Sequence, residues 1–198
     1  IDSECENISE FLRGELESKS LIIKNWKSAV WLPPRYCHGM YRLHDDHRGP
    51  VHFYNALANN TILTELNLDE SYIKSGIIYD KPTGDIDYLV EAISLLANAM
   101  EKNTALRNLD LSNNHFGKLG FDVVDYIIKI IEKNTSLTKL NLEGNFYKEN
   151  DIDKIVKALQ YNDNLISVSI DGGVERISDM LINNSVLTEL VLTSSFIA

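Results

Sequence analysis

Apolar residues recur along this chain at one fixed spacing. Five segments carry an apolar residue at the first, fourth and sixth places: Leu63, Leu66, Leu68; Leu106, Leu109, Leu111; Leu137, Leu140, Leu142; Leu165, Val168, Ile170; and Leu187, Leu190, Leu192. The last two of each set are two residues apart, the period of a strand, so they share one face while the residue between them points to the other. Repeating one short strand in this way predicts a parallel sheet with one buried face and one free face.

Three places before each leading residue stands an Asn: Asn60, Asn103, Asn134, Asn162 and Asn184. Asn tolerates the left-handed backbone that ends helices, so these residues are expected where helix gives way to strand. Further upstream, Leu57, Met100, Ile131, Leu159 and Leu181, together with Phe53, Leu96, Ile127, Ile155 and Ile177, fall at helical spacing and define one buried stripe per unit. Each unit therefore reads as helix, Asn, short strand and loop. No unit could bury its apolar face alone, so the array must fold cooperatively. The leading positions are separated by 43, 31, 28 and 22 residues. The long first interval is assigned to an insertion over Ser75 to Asp87, around the turn-rich Lys81-Pro82-Thr83-Gly84.

Over residues 53–198 the five units resemble the ribonuclease-inhibitor-like class of leucine-rich repeats. The resemblance implies an α/β leucine-rich-repeat solenoid, a curved parallel sheet with outer helices, preceded by a non-repeat N-terminal cap over residues 1–52. Asn103-Thr104-Ala105-Leu106 and Asn134-Thr135-Ser136-Leu137 are similar to the tropomodulin repeats, and also to effectors that intracellular bacterial pathogens send into host cells. The Asn-, Lys- and Ile-rich composition leans toward the bacterial group. The class usually places another Asn eight positions after the leading Leu, where its amide satisfies loop backbone groups. Asn114 and Asn145 match; Ser71, Gly173 and Ser195 replace it elsewhere, so the loops are expected to be less regular at both ends.

Within residues 1–52, Ser3 and Glu6 suit a capping box, and Ile8, Phe11, Leu12 and Leu16 line one helical face. Such a helix would cover the first repeat and its sheet edge. From Asn25 to Pro50, Trp26, Trp31, Pro33, Pro34, Tyr36 and Tyr41 predict an aromatic-packed connector, with recognition as its alternative role.

Charge narrows the range of partners. With 29 acidic and 19 basic residues in 198, the net charge of -10 repels a phosphate backbone and attracts a basic protein surface. No nucleic acid is expected. No apolar run is long enough for a bilayer, and Ile1 to Glu6 do not resemble a signal peptide, so no membrane association is expected either. Cys5 and Cys37 provide no disulfide framework, which fits a reducing compartment. The expected location is cytoplasmic, or the host cytosol after secretion by a bacterium.

Four of the five His residues fall in one stretch with Cys37: His38, His44, His47 and His52, beside Asp45 and Asp46. Their spacing matches no common zinc template, and adjacent Cys37 and His38 point in opposite directions in an extended chain. No catalytic residue, metal or cofactor is assigned. The glycosylation-like strings at Asn59, Asn134 and Asn183 follow from the helix-ending Asn and carry no expectation of glycans.

Register places Thr64, Arg107, Thr138, Ile166 and Thr188, with Ser167, Ser169 and Val191, on the outward side of the sheet. Partner contact is assigned there to Glu65, Asn67, Arg107, Asn108, Asp110, Lys139, Asn141 and Glu189. Arg107 and Lys139 would oppose the charges of Asp110 and Glu65. Solubility alone also calls for polar residues on such a face. The leading expectation is a protein-protein interaction module, a bacterial effector gripping a host protein as a monomer. The alternatives are an actin-associated, tropomodulin-like protein, and a metal-dependent switch or enzyme built on Cys37 to His52.

Overall fold

Each Leu-x-x-Leu-x-Leu segment contributes a strand in a computed structural model of the protein, which describes residues 18–22, 49–69, 84–118, 123–172 and 177–193. In chain order the elements are β1 Ser20–Ile22, α1 Gly49–Asn59, β2 Glu65–Asn67, α2 Gly84–Lys102, β3 Asn108–Asp110, a 3₁₀ turn Phe116–Lys118, α3 Val123–Lys133, β4 Lys139–Asn141, α4 Glu149–Gln160, β5 Ser167–Asp171, α5 Ile177–Asn183 and β6 Glu189–Thr193. The strands pair in sequence order into one open, six-stranded parallel sheet. Leu21, Leu66, Leu109, Leu140, Val168 and Leu190 form a single row across it. The helices cover that row, each packed against the next, so every repeat closes the core of the one before.

The expected boundary of the repeating sheet shifts toward the N-terminus. β1 falls inside the segment assigned to the cap and pairs in parallel with β2. Ser18 stands where the other units have their leading apolar residue, and Glu15 stands where they have Asn, which hid this strand. Ser18 makes a local turn instead, its Oγ accepting from the Ser20 N–H at 3.2 Å and donating to the Ser20 carbonyl at 2.9 Å. The expected insertion is also shortened, since α2 already begins at Gly84 and takes in Gly84 to Asp87. The N-terminal helix, the aromatic connector and Ser71, Gly173 and Ser195 lie outside the described residues.

The helix-ending Asn residues act through their side chains rather than through left-handed backbone. Among the described residues, positive φ at non-glycine positions occurs at Asn113, His115 and Phe146, none of which ends a helix. Each repeat Asn instead closes a bracket. Asn134 Oδ1 accepts from the Ser136 and Leu137 N–H groups at 2.9 and 2.7 Å, while its Nδ2 donates back to the Met100 and Asn103 carbonyls at 2.6 and 3.0 Å. Asn103 and Asn184 make the equivalent four bonds to their own strand entries and to the preceding repeat. Asn162 spans the same interval through the Ile131 carbonyl. The amide satisfies helix-end carbonyls and strand-entry N–H groups that would otherwise be buried without partners.

A second ladder runs along the strand exits. Asn114 Nδ2 donates to the Leu68, Leu111 and Ser112 carbonyls, and Asn145 Nδ2 donates to those of Leu111 and Leu142. Asn145 Oδ1 accepts the Asn114 N–H at 3.0 Å, so the two brackets interlock. Asp171 closes the next exit, its carboxylate accepting the N–H groups of Gly144, Asn145 and Phe146 and the Thr193 hydroxyl. These loops approach so closely that a Cβ on Gly117 would collide with the Phe146 carbonyl.

The helical stripe holds at both positions in four units and at Ile177 in the fifth, where only Leu181 departs from it. Leu57, Met100, Ile131 and Leu159 are buried, whereas Leu181 is 48% exposed and Met180 turns inward.

Candidate protein-binding face

The sheet surface opposite the helices is built from two rows set by the strand register. One contains Ser20, Glu65, Asn108, Lys139, Ser167 and Glu189; the other contains Ile22, Asn67, Asp110, Asn141, Ser169 and Val191. They lie two residues apart along each strand and so project to the same side. All eight residues assigned to partner contact from the sequence are exposed or half-buried.

Their hydrogen bonds separate them into two groups. Asn67, Asp110 and Asn141 turn a side-chain oxygen onto the N–H two residues ahead, at Asp69, Ser112 and Glu143, with distances of 2.9, 2.9 and 3.1 Å. These Asx turns end the strands. Asn67 Nδ2 also donates to Asp110 at 3.3 Å, and the Ser112 hydroxyl bridges Asp110 and Asp69 at 2.6 and 3.1 Å. This row is therefore partly committed to the fold.

Arg107 does not face Asp110 as the opposed charges suggested. Its Nη1 donates to the Thr104, Leu106 and Ser136 carbonyls at 2.9, 3.3 and 3.2 Å, bracing the strand entries at the opposite end of β3 from Asp110. Five donors on a planar guanidinium make such multiple carbonyl contact favourable.

The other row is unengaged. Among the described residues, the side chains of Glu65, Asn108, Lys139 and Glu189 make no hydrogen bond or ion pair. Ion pairs occur on the helices instead, between Lys129 and Glu101 at 2.8 Å and between Lys154 and Asp125 at 3.0 Å. Strands are spaced about 4.8 Å apart, so Lys139 has a carboxylate about 10 Å away on either side, Glu65 two strands before it and Glu189 two strands after. The row presents a negative, positive, negative pattern with amide and hydroxyl groups between.

Of the Cys- and His-rich stretch, only His52 falls in a described element, α1; the rest lies outside the described residues. Among the described residues no group of three His, Cys, Asp or Glu side chains is placed to hold a metal, and no helix is long and apolar enough to cross a membrane.

An open parallel sheet, helices on one face and Asn brackets between successive units define an α/β leucine-rich-repeat solenoid with a free strand surface. Solved structures with this architecture include Leiomodin-1 Actin-Binding Site 2, to which the chain is similar with a TM-score of 0.61 and 16% identity, covering 90% of this chain and 84% of that one. The tropomodulin C-terminal domain of Caenorhabditis elegans gives a TM-score of 0.56 at 14% identity, covering 92% and 93% of the two chains. At these identities the likeness is one of fold. No protein-family model matches the chain, and no curated protein matches it by sequence.

Proposed function

We propose that this chain is a protein-binding solenoid of the tropomodulin-like kind, with actin as its partner and the row Glu65, Asn108, Lys139, Ser167 and Glu189 as the centre of contact. The observation that carries the proposal is the row itself: three charged side chains at regular spacing, none paired within the described residues. A charge left exposed and unpaired on a rigid sheet is pre-organised for a complementary partner, with little ordering cost on binding. Asn67, Asp110 and Asn141 form the adjoining polar edge, and Arg107 borders the strand entries. Likeness in fold to a domain described as an actin-binding site of leiomodin-1 supports actin over the host target of a bacterial effector, a reading that rests on composition.

Co-sedimentation with filamentous actin and pointed-end elongation of labelled actin test the proposal directly. Lys139→Glu and the pair Glu65→Lys, Glu189→Lys should each weaken binding by about tenfold, the effect of about 1.4 kcal/mol at an interface. No effect of the parent protein on actin in either assay at high micromolar concentration would remove actin as the partner.

A further inference from the structure

The outward face of the sheet is a band two rows deep and six strands long. With strands about 4.8 Å apart, each row runs about 24 Å from β1 to β6, and two residues along a strand set the rows about 7 Å apart. An α-helix of about 16 residues is about 24 Å long and about 10 Å across, so one helix laid across the strands covers the band. Height alternates along the first row. Glu65, Lys139 and Glu189 are exposed, while Asn108 and Ser167 between them are half-buried. A charged side chain therefore stands on every second strand, about 10 Å from the next, with a shallower polar residue between.

A partner must repeat its own charges at that interval on one face. In an α-helix, seven residues advance about 10.5 Å and return to within about 20° of the same face. An extended strand covers about 10 Å in three residues, which turns the third side chain to the opposite side. Its backbone N–H and C=O groups would also meet only side chains, because the strands beneath already pair with one another. A polyproline II segment has a suitable advance, about 9.3 Å per three residues, but such segments dock in aromatic-lined grooves and neither row contains an aromatic residue. A helix satisfies its own backbone and has the required period.

We infer that the row receives a single α-helix of its protein partner, lying across the strands, with Lys or Arg at i and i+14 against Glu65 and Glu189 and Asp or Glu at i+7 against Lys139. Counted from Glu65, the side chains at i+3 or i+4 and at i+10 or i+11 fall about 5 Å beyond each charge and settle over Asn108 and Ser167. Asp110 lies two residues from Asn108 on β3, so a hydrogen-bond donor at i+3 or i+4 meets the part of the band that carries its carboxylate. The inference rests on this row being the contact face, and it adds the shape and charge pattern of what the row holds.

Three synthetic peptides titrated into the isotope-labelled full chain, followed by amide chemical shifts, are the test. The first is an alanine-rich helix, locked by side-chain lactams, with lysines at i and i+14 and a glutamate at i+7. The second has the same composition with its three charges at i, i+5 and i+10, which scatters them around the helix. The third carries lysine, glutamate and lysine at i, i+3 and i+6 of a proline-rich segment. The first should give saturable shifts in β2, β4 and β6 and bind about tenfold tighter than the other two, the combined effect of three exposed ion pairs. Glu65→Lys, Lys139→Glu and Glu189→Lys together should invert the preference, making a helix of opposite charges the tighter ligand by about tenfold, with circular dichroism confirming an unchanged fold. Equal binding of the two helices, preference for the proline-rich peptide, or no saturable shift at millimolar peptide overturns the inference. Actin co-sedimentation separates it from the reading it rests on. A chain that sediments with actin but does not distinguish the peptides loses the helix alone, and one that distinguishes them without binding actin loses actin alone.

Discussion

Asn134→Ala removes five hydrogen bonds at one buried position, the four of the bracket and one from the Ser136 hydroxyl at 3.2 Å. The Asn103 carbonyl keeps the Ser136 hydroxyl as a donor, also at 3.2 Å. The Met100 carbonyl and the Ser136 and Leu137 N–H groups lose the side chain that satisfies them, in surroundings where Asn134 itself is only 3% exposed. Each orphaned group costs about 1–2 kcal/mol, so the total is about 4 kcal/mol. That is a large share of the roughly 5–15 kcal/mol that holds a typical domain together. Urea unfolding followed by circular dichroism reads the loss. With a slope of about 2 kcal/mol per molar, the midpoint should fall by about 2 M. Lys139→Ala, which removes an exposed and unpaired side chain, should move stability by less than about 0.5 kcal/mol. An Asn134→Ala midpoint within about 0.3 M of the parent, at unchanged slope, would refute the bracket as a source of stability.

Tyr147 buries a hydroxyl with no hydrogen-bond partner, so Tyr147→Phe should leave thermal stability unchanged or raise it by up to about 1 kcal/mol, measured by calorimetry. Burial first, then the negative charges of Asp171 and Asp151, hold the Tyr147 phenol well above its ordinary pKa. The folded chain keeps that proton where the unfolded chain would release it, so this contribution is intact below about pH 10 and is lost as pH rises beyond it. Gly117→Ala forces a methyl group against the Phe146 backbone and should cost about 3 kcal/mol in urea unfolding; a cost below about 1 kcal/mol would show that the two exit loops separate easily. The hydrogen bond and charge of Lys129 lower the Glu101 pKa, so any stability this carboxylate adds is present at neutral pH and disappears as pH falls through its folded-state value. Melting temperatures of the parent and Glu101→Gln should accordingly converge in acid.

Five of the six strands are legible because their apolar residues repeat a spacing that only a strand can bury. β1 escapes since Ser18 and Glu15 interrupt the pattern, although Leu21 and Ile23 retain the two-residue alternation that would reveal it. The shared Asn was visible but not its mechanism: Asn suits both left-handed backbone and side-chain capping, and spacing alone does not separate the two. On the free face, seven of the eight candidate residues fall in the two outward rows, and Arg107 lies beside them before β3. Their engagement depends on strand-end geometry, which turns Asp110 onto Ser112 and Arg107 onto the strand entries. Leu181 shows the other limit of the pattern, because a position buried in four units is exposed in the fifth, where Met180 is buried in its stead.

The Asn brackets at the strand entries all point the same way. Asn103 donates to carbonyls of α1 and its end, Asn134 to those of α2, Asn162 to α3 and Asn184 to α4, each satisfying groups that were synthesised before it. The consecutive N–H groups at each strand entry do likewise, Arg107 and Asn108 donating to Thr64, then Thr138 and Lys139 to Arg107. At the strand entries, a chain leaving the ribosome N-terminus first therefore has its acceptors already in position when each new set of donors emerges, whereas at the strand exits earlier N–H groups such as those of Leu68 and Leu111 wait for carbonyls of the next unit. Assembly can advance one unit at a time as a vectorial process, and a ribosome that pauses between units leaves behind an ordered stack whose last carbonyls await the next Asn.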